Sequence, residues 1–202
     1  MRFILAVTGN IASGKSLVAR MFHEKGCALV DADKVAHELY VAQPSLVRQV
    51  AQEFGEEILH PDGTLNRKRL GARVFGDPAA LATLNRIVHP HLLVALRERV
   101  FSALRVLNRV VVDAALIVEW GAHREADALV LVTAPEPLRL ARLMERDGLS
   151  HDEAERRIRS QMPEEEKRPF AGYEIANTGS HEDLQRQVDE VWAKIEAKEA
   201  EE

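Results

Sequence analysis

The chain has 202 residues, a length that suits one α/β domain with insertions and a sizeable core rather than two independent domains. Its 27 basic and 32 acidic residues leave a net charge of −5, so no overall positive field draws it to nucleic acid or to a membrane surface. The single cysteine, Cys27, cannot form an internal disulfide and is expected to be a buried, idle thiol. No signal-peptide pattern and no apolar run of eighteen or more residues is legible. The expectation is therefore a cytoplasmic protein without nucleic-acid or membrane partners.

Phe3-Ile4-Leu5-Ala6-Val7 is a short continuous apolar run of the kind shown by a buried parallel strand. Residues 9–16 follow as G-N-I-A-S-G-K-S, a complete G-x-x-x-x-G-K-[ST] phosphate loop, and Leu17, Val18, Met21 and Phe22 then recur at helical spacing. Residues 27–30 read as a second strand, ending at Asp31-Ala32-Asp33. A long helical stretch occupies 34–104. Pro44, the Pro61-Asp62-Gly63 turn and Pro78 punctuate segments at 46–54, 67–75 and 79–88. Residues 109–112 form a β-branched strand ending at Asp113, and 128–132 another, closed by Pro135. Leu138, Arg142 and Arg146 lie on one further helix. Ser150-His151-Asp152-Glu153 is a capping box opening a strongly charged helix. Tyr173 to Ala176 makes a last short strand. Leu184, Val188, Val191, Trp192 and Ile195 form the apolar stripe of a C-terminal helix, with 196–202 expected to fray. Strands alternating with helices predict a parallel sheet.

The strand–loop–helix context predicts binding of a nucleoside triphosphate. Gly9 and Gly14 let main-chain N–H groups curl around an anion, and the helix starting near Lys15 aims its positive end at the same phosphates. Lys15 is expected at the β- and γ-phosphates, and the Ser16 hydroxyl on Mg²⁺. Ligands in such sheets bind outside the carboxyl ends of the strands, which draws attention to Asp31, Asp33 and Asp113. Asp33 could accept a proton from an attacking hydroxyl, or could cap the helix that follows it. Arg139, Arg142, Arg146, Arg156, Arg157 and Arg159, with Lys167 and Arg168, could form a mobile segment over a triphosphate. Interleaved glutamates equally fit a solvated helix face, and Arg142 and Arg146 are the stronger candidates.

In order, the chain carries G-N-I-A-S-G-K-S, D-A-D-K-V-A-H at 31–37, L-N-R-I-V-H-P at 84–90, R-L-M-E-R-D-G-L-S at 142–150, Q-M-P-E-E-E-K-R at 161–168 and N-T-G-S at 177–180. Over nearly its whole length this series resembles the dephospho-coenzyme A kinase family. The resemblance implies a P-loop nucleoside-triphosphate hydrolase fold of the nucleotide-kinase type. Its parallel five-stranded sheet would be flanked by helices and carry helical acceptor-binding and lid insertions. The implied division is a core of 1–33, 105–138 and 169–202, an acceptor-binding insertion at 34–104 and a lid at 139–168. The implied reaction is ATP-dependent phosphorylation of the ribose 3′-hydroxyl of dephospho-coenzyme A, giving coenzyme A, with ATP and Mg²⁺ as cofactors. Another phosphate-loop kinase for nucleotides or small molecules is the alternative, and a nucleotide-driven switch protein a more distant one.

By the same resemblance Asp33 is the base, and Lys15 and Arg142 contact the ATP phosphates. Gly9, Asn10, Ile11, Ala12, Ser13, Gly14, Lys15, Ser16 and Leu17 line the nucleotide, with Asn177 near the adenine. His89, Asp113 and Glu119 belong to the acceptor side, His89 in a helix that ends at His-Pro. A monomer or weak homo-oligomer is expected. The chain departs from the family pattern at Ala115, where proline is usual, at Val118, where an aromatic residue is usual, and at Arg139, where glutamine is common. Ala12 replaces a frequent glycine.

Overall fold

The structure is a computed structural model that describes residues 2–201. Five strands, β1 (Phe3–Thr8), β2 (Ala28–Asp31), β3 (Arg109–Asp113), β4 (Ala128–Thr133) and β5 (Tyr173–Ala176), form one sheet in the order β2-β3-β1-β4-β5. All pairings are parallel, as the run of apolar strands separated by helices predicts. Placing β1 centrally, between β3 and β4, surrounds the loop that leaves it with the carboxyl ends of both neighbours.

The chain divides into two compact units, one formed by residues up to Asp31 together with those from Val100 onward, the other by Ala32–Arg99. In the first, helix α1 (Lys15–Glu24) packs on the sheet, and its Val18, Ala19 and Phe22 join Leu5, Val7, Val111 and Val130 in the core. The second unit holds α2 (Ala32–Ala42), α3 (Pro44–Phe54), α4 (Arg67–Val74) and most of α5 (Pro78–Ala103). Its core residues include Leu39, Leu46, Val50, Phe54 and Leu70. The Asp62-Gly63 turn is present, with Gly63 at φ 80 and Asp62 Oδ1 accepting from the Thr64 N–H at 3.0 Å.

The first unit continues through α6 (Glu136–Asp147), α7 (His151–Arg159), α8 (Glu164–Lys167) and α9 (His181–Glu201). The capping box at Ser150 and Glu153 forms as the sequence predicts. Buried Leu184, Val188, Val191, Trp192 and Ile195 of α9 join the sheet core.

Four expectations need correction. α5 does not stop at His89-Pro90 but runs on to Ala103 with Pro90 inside it. Proline removes one helical donor, yet buried Val88, Leu92, Leu96 and Val100 keep a spacing of four across it, and that packing carries the helix on. By length and composition α5 could also cross a membrane, at a mean hydropathy of 1.2, contrary to the expectation of no such stretch. α9 continues past Ile195 to Glu201, and Arg109 pairs with Glu196 at 3.0 Å and Glu199 at 2.7 Å and lies over the Trp192 ring; Glu202, the last residue of the expected fraying tail, lies outside the described residues. Asp33 is not an N-cap, because α2 begins at Ala32 directly after β2 and places Asp33 within its first turn.

Candidate active site

The phosphate loop owes its shape to two glycines. A Cβ on Gly9 would lie 2.4 Å from the Val132 carbonyl oxygen and 2.6 Å from Ser13 Oγ, so the chain leaving β1 passes too close to β4 for any side chain. Gly14 has φ 93, and a Cβ there would meet Asn177 Nδ2 at 2.1 Å. Its carbonyl receives the N–H groups of Leu17 and Val18, which starts α1 and leaves the N–H groups of Lys15 and Ser16 without helical acceptors. Ala12 is the one non-glycine residue with positive φ, 63, among the described residues. Its methyl group and Ile11 pack against a small cluster of Leu143, Ala154 and Ile158 from α6 and α7.

Strand register decides what Lys15 meets. Val7 pairs with Asp113, so Asp113 ends β3 beside the start of the loop. Lys15 Nζ lies 2.5 Å from Asp113 Oδ1 and 3.4 Å from Ser16 Oγ, and the Asp113 side chain is 4% exposed. In the turn after β3, the Ala115 carbonyl accepts from Thr8 Oγ1 at 3.1 Å and from Lys167 Nζ at 2.8 Å. The wholly buried Lys167 also stands 2.9 Å from Glu119 Oε1. Burial pushes the Lys167 ammonium below the usual lysine range; Glu119 opposes the shift, and the charges of Lys15 and Arg139 add to it.

The other side of the loop is gripped by α6, by the segment after α7 and by the β5–α9 connection. Arg142 donates to the carbonyls of Ala12 at 3.4 Å and Asn177 at 3.3 Å. Asn177 Nδ2 donates to the Ser13 carbonyl at 2.7 Å. The Ile11 N–H donates to Gln161 Oε1 at 2.7 Å, and Asn10 Nδ2 to the Met162 carbonyl at 3.2 Å. The structure thus brings together Lys15, Ser16, Asp113, Arg142 and Asn177 around residues 9–17, with Glu119 on the turn beyond Asp113. Asp33, exposed in the first turn of α2, and His89, half-buried on α5, belong to the second unit.

Ser13 Oγ is buried without a hydrogen-bond partner. An unused hydroxyl, a lysine and the open N–H groups of a helix start form a donor set suited to phosphate oxygens. Ser16 places a further hydroxyl in the first turn of α1.

Arg139 is buried, with Nε donating to the Ala134 carbonyl at 3.0 Å, whereas Arg146 pairs with Asp147 at 2.8 Å on the surface. Sequence reasoning missed Thr8 and Gln161 as parts of the site, and named Lys167 only within the basic segment over the triphosphate, not at the turn after β3. Gln161 and Lys167 stand in a motif it singled out, but three glutamates before Lys167 disguise a buried residue as a solvated one.

A family model described as dephospho-CoA kinase matches residues 3–183. The dephospho-CoA kinase of Geobacter sulfurreducens is 40% identical over 196 residues, spanning 95% of this chain and 98% of its own length. A solved structure from Thermus thermophilus superposes with a TM-score of 0.77 at 35% identity, covering 96% of this chain and 97% of that one. The dephospho-CoA kinase from Campylobacter jejuni gives 0.61 at 26% identity, with coverage of 96% and 97%. The fold is accordingly that of the phosphate-loop kinases. The phosphate loop backed by Asp113, and the match along nearly the entire chain, lead to one assignment: the chain belongs to the dephospho-CoA kinase family.

Proposed function

We propose that the protein transfers the γ-phosphoryl group of ATP to the ribose 3′-hydroxyl of dephospho-coenzyme A, yielding coenzyme A and ADP, the last step of coenzyme A synthesis. The observation that carries this reading is the complete phosphate loop with Lys15 2.5 Å from Asp113, in a chain whose residues 3–183 match the family.

In-line phosphoryl transfer asks a protein for positioning and for charge stabilisation, with little covalent chemistry. Lys15 and the N–H groups at the start of α1 bind the β- and γ-phosphate oxygens, and Ser13 Oγ adds a further donor. Ser16 would hold Mg²⁺, whose charge when bound neutralises the phosphate oxygens. Arg142, half-buried above Ala12, contributes positive charge where negative charge grows. Asp33 takes the proton from the attacking 3′-hydroxyl; its position just past the carboxyl end of β2 supports that role. Residues 34–104, with His89, receive the acceptor, 139–168 act as the lid, and Asn177 borders the adenine. Asp113 and Glu119 complete the acceptor side.

The test is a coupled ADP-release assay with ATP, Mg²⁺ and dephospho-coenzyme A, with mass spectrometry of the product. ADP release that depends on the acceptor, and a product heavier by one phosphate, is the expected result. ADP release indifferent to that acceptor would overturn the reading.

A further inference from the structure

Lys167 is a fully buried ammonium, an unusual feature in a protein of this size, and it touches neither the phosphate loop nor a solvent-facing acid. Its two contacts both lie in the turn after β3: the Ala115 carbonyl at 2.8 Å and Glu119 Oε1 at 2.9 Å. No hydrogen bond from another residue reaches either Glu119 oxygen among the described residues, although both are buried. A buried carboxylate needs a counter-charge, and Lys167 supplies it.

That turn occupies a particular place. It follows Asp113, which holds Lys15, and it leaves the strand lying between β1, the source of the phosphate loop, and β2, which leads into Asp33. Six residues before Lys167, the same segment grips the phosphate loop through Gln161 and the Met162 carbonyl. Residues 161–167 therefore form a strap fixed at one end to the nucleotide loop and at the other to the turn beyond Asp113. Three consecutive glutamates, 164–166, lie between the anchors.

We propose that Lys167 is a positioning residue for the phosphate acceptor: its ammonium fixes the turn after β3 through Ala115 and Glu119, and so sets the acceptor side of the reaction centre. Nucleotide contacts come from the loop after β1 and from α1, held by Gly9, Gly14, Asn177 and the Gln161 end of the strap, and none of these is a hydrogen-bond partner of Lys167 among the described residues. Loss of the ammonium therefore falls on the acceptor. The assignment of that side to dephospho-coenzyme A rests on the function proposed above.

Full-length wild type, Lys167→Met and Glu119→Gln are compared by steady-state kinetics with dephospho-coenzyme A varied, by equilibrium binding of a fluorescent ATP analogue and by urea unfolding. Methionine nearly preserves the buried volume, and glutamine keeps an oxygen within reach of Lys167. In Lys167→Met the acceptor KM rises at least about tenfold while ATP affinity stays within about twofold of wild type. Glu119→Gln shows a smaller rise in the same parameter. Folded variants with acceptor KM and kcat both unchanged overturn the proposal, as does a parallel loss of ATP affinity. A larger effect in Glu119→Gln than in Lys167→Met also overturns it, because Glu119 would then act on the acceptor without needing Lys167. If Lys167→Met does not fold, Lys167→Gln is read by the same criteria, and unchanged acceptor KM in Glu119→Gln overturns the proposal. A wild type that ignores dephospho-coenzyme A defeats the functional reading itself, and the acceptor role with it. An active wild type with indifferent variants defeats only the role of Lys167.

Discussion

Lys15 Nζ rests 2.5 Å from Asp113 Oδ1, so the lysine of the phosphate loop carries its own internal counter-charge. A phosphate bound at Lys15, as proposed above, would share or displace that contact, and the carboxylate is too well buried to fall back on water. Lys15→Met should destabilise the nucleotide-free protein by about 3 kcal/mol, because it strands the Asp113 charge. Urea unfolding without nucleotide measures this; an unchanged midpoint would show that the pair contributes nothing. ATP binding should be lost in the same variant.

Asp33, proposed above to take the proton, lies in the second unit, whereas the phosphate loop lies in the first. Asp33→Asn should lower kcat by about 10²–10⁴-fold, the range for loss of a general base, with ATP affinity intact. Parallel titration with a fluorescent ATP analogue separates the two effects. Wild-type turnover in this variant would remove Asp33 as the base.

Arg142 and Asn177 hold the same loop but should fail differently. Arg142 makes two long contacts, 3.4 and 3.3 Å, from a half-buried position. Arg142→Ala should therefore cost less than about 1 kcal/mol of stability, yet lower kcat by about 10²–10³-fold if its charge acts on the transferring phosphoryl group. Asn177 makes a buried 2.7 Å bond to Ser13. Asn177→Ala should cost about 1–3 kcal/mol by leaving that carbonyl unsatisfied, and should weaken ATP binding as the loop relaxes. Thermal melts set beside kcat for the two variants decide the matter; equal ratios of stability loss to activity loss would contradict it.

Cys27 gives an alkaline signature. Burial pushes its thiol from the ordinary 9.0 up to about 11; Arg109 opposes the shift, and Glu199 and Glu196 add to it. The folded state thus keeps its proton where the unfolded chain has already lost it. The stability linked to the neutral thiol is complete below pH 9 and disappears as pH rises from 9 to 11. Cys27→Val should flatten the fall in urea midpoint across that window while leaving the midpoint trend at lower pH unaltered. An identical alkaline slope in variant and wild type would refute the assignment.

Strands and turns were legible because their signals are local. The apolar run at β1, the β-branched run at β3 and the Ser150 capping box each announce themselves within a few residues, and each formed. Pro90 misled for the same reason. Read locally it ends a helix, but the apolar residues on both sides share one buried face, and their packing outweighs a lost hydrogen bond. Lys167, read with the arginines as a segment over the triphosphate or a solvated face, is instead buried against the turn after β3, a contact no local signal announces.

The sequence by itself determined the phosphate loop, because glycine spacing and a following helix require nothing from the rest of the chain. It also determined the parallel sheet, through the alternation of apolar strands and amphipathic helices. Tertiary structure alone decided who holds the loop. Asn177 reaches Ser13 across 164 residues, Arg142 reaches Ala12 across 130, and Lys167 reaches Ala115 across 52. Such contacts follow from strand order and register, which bring the carboxyl ends of β1, β3, β4 and β5 to one edge of the sheet. No spacing along the chain encodes which side chains meet there; the free energy of packing the whole sheet does.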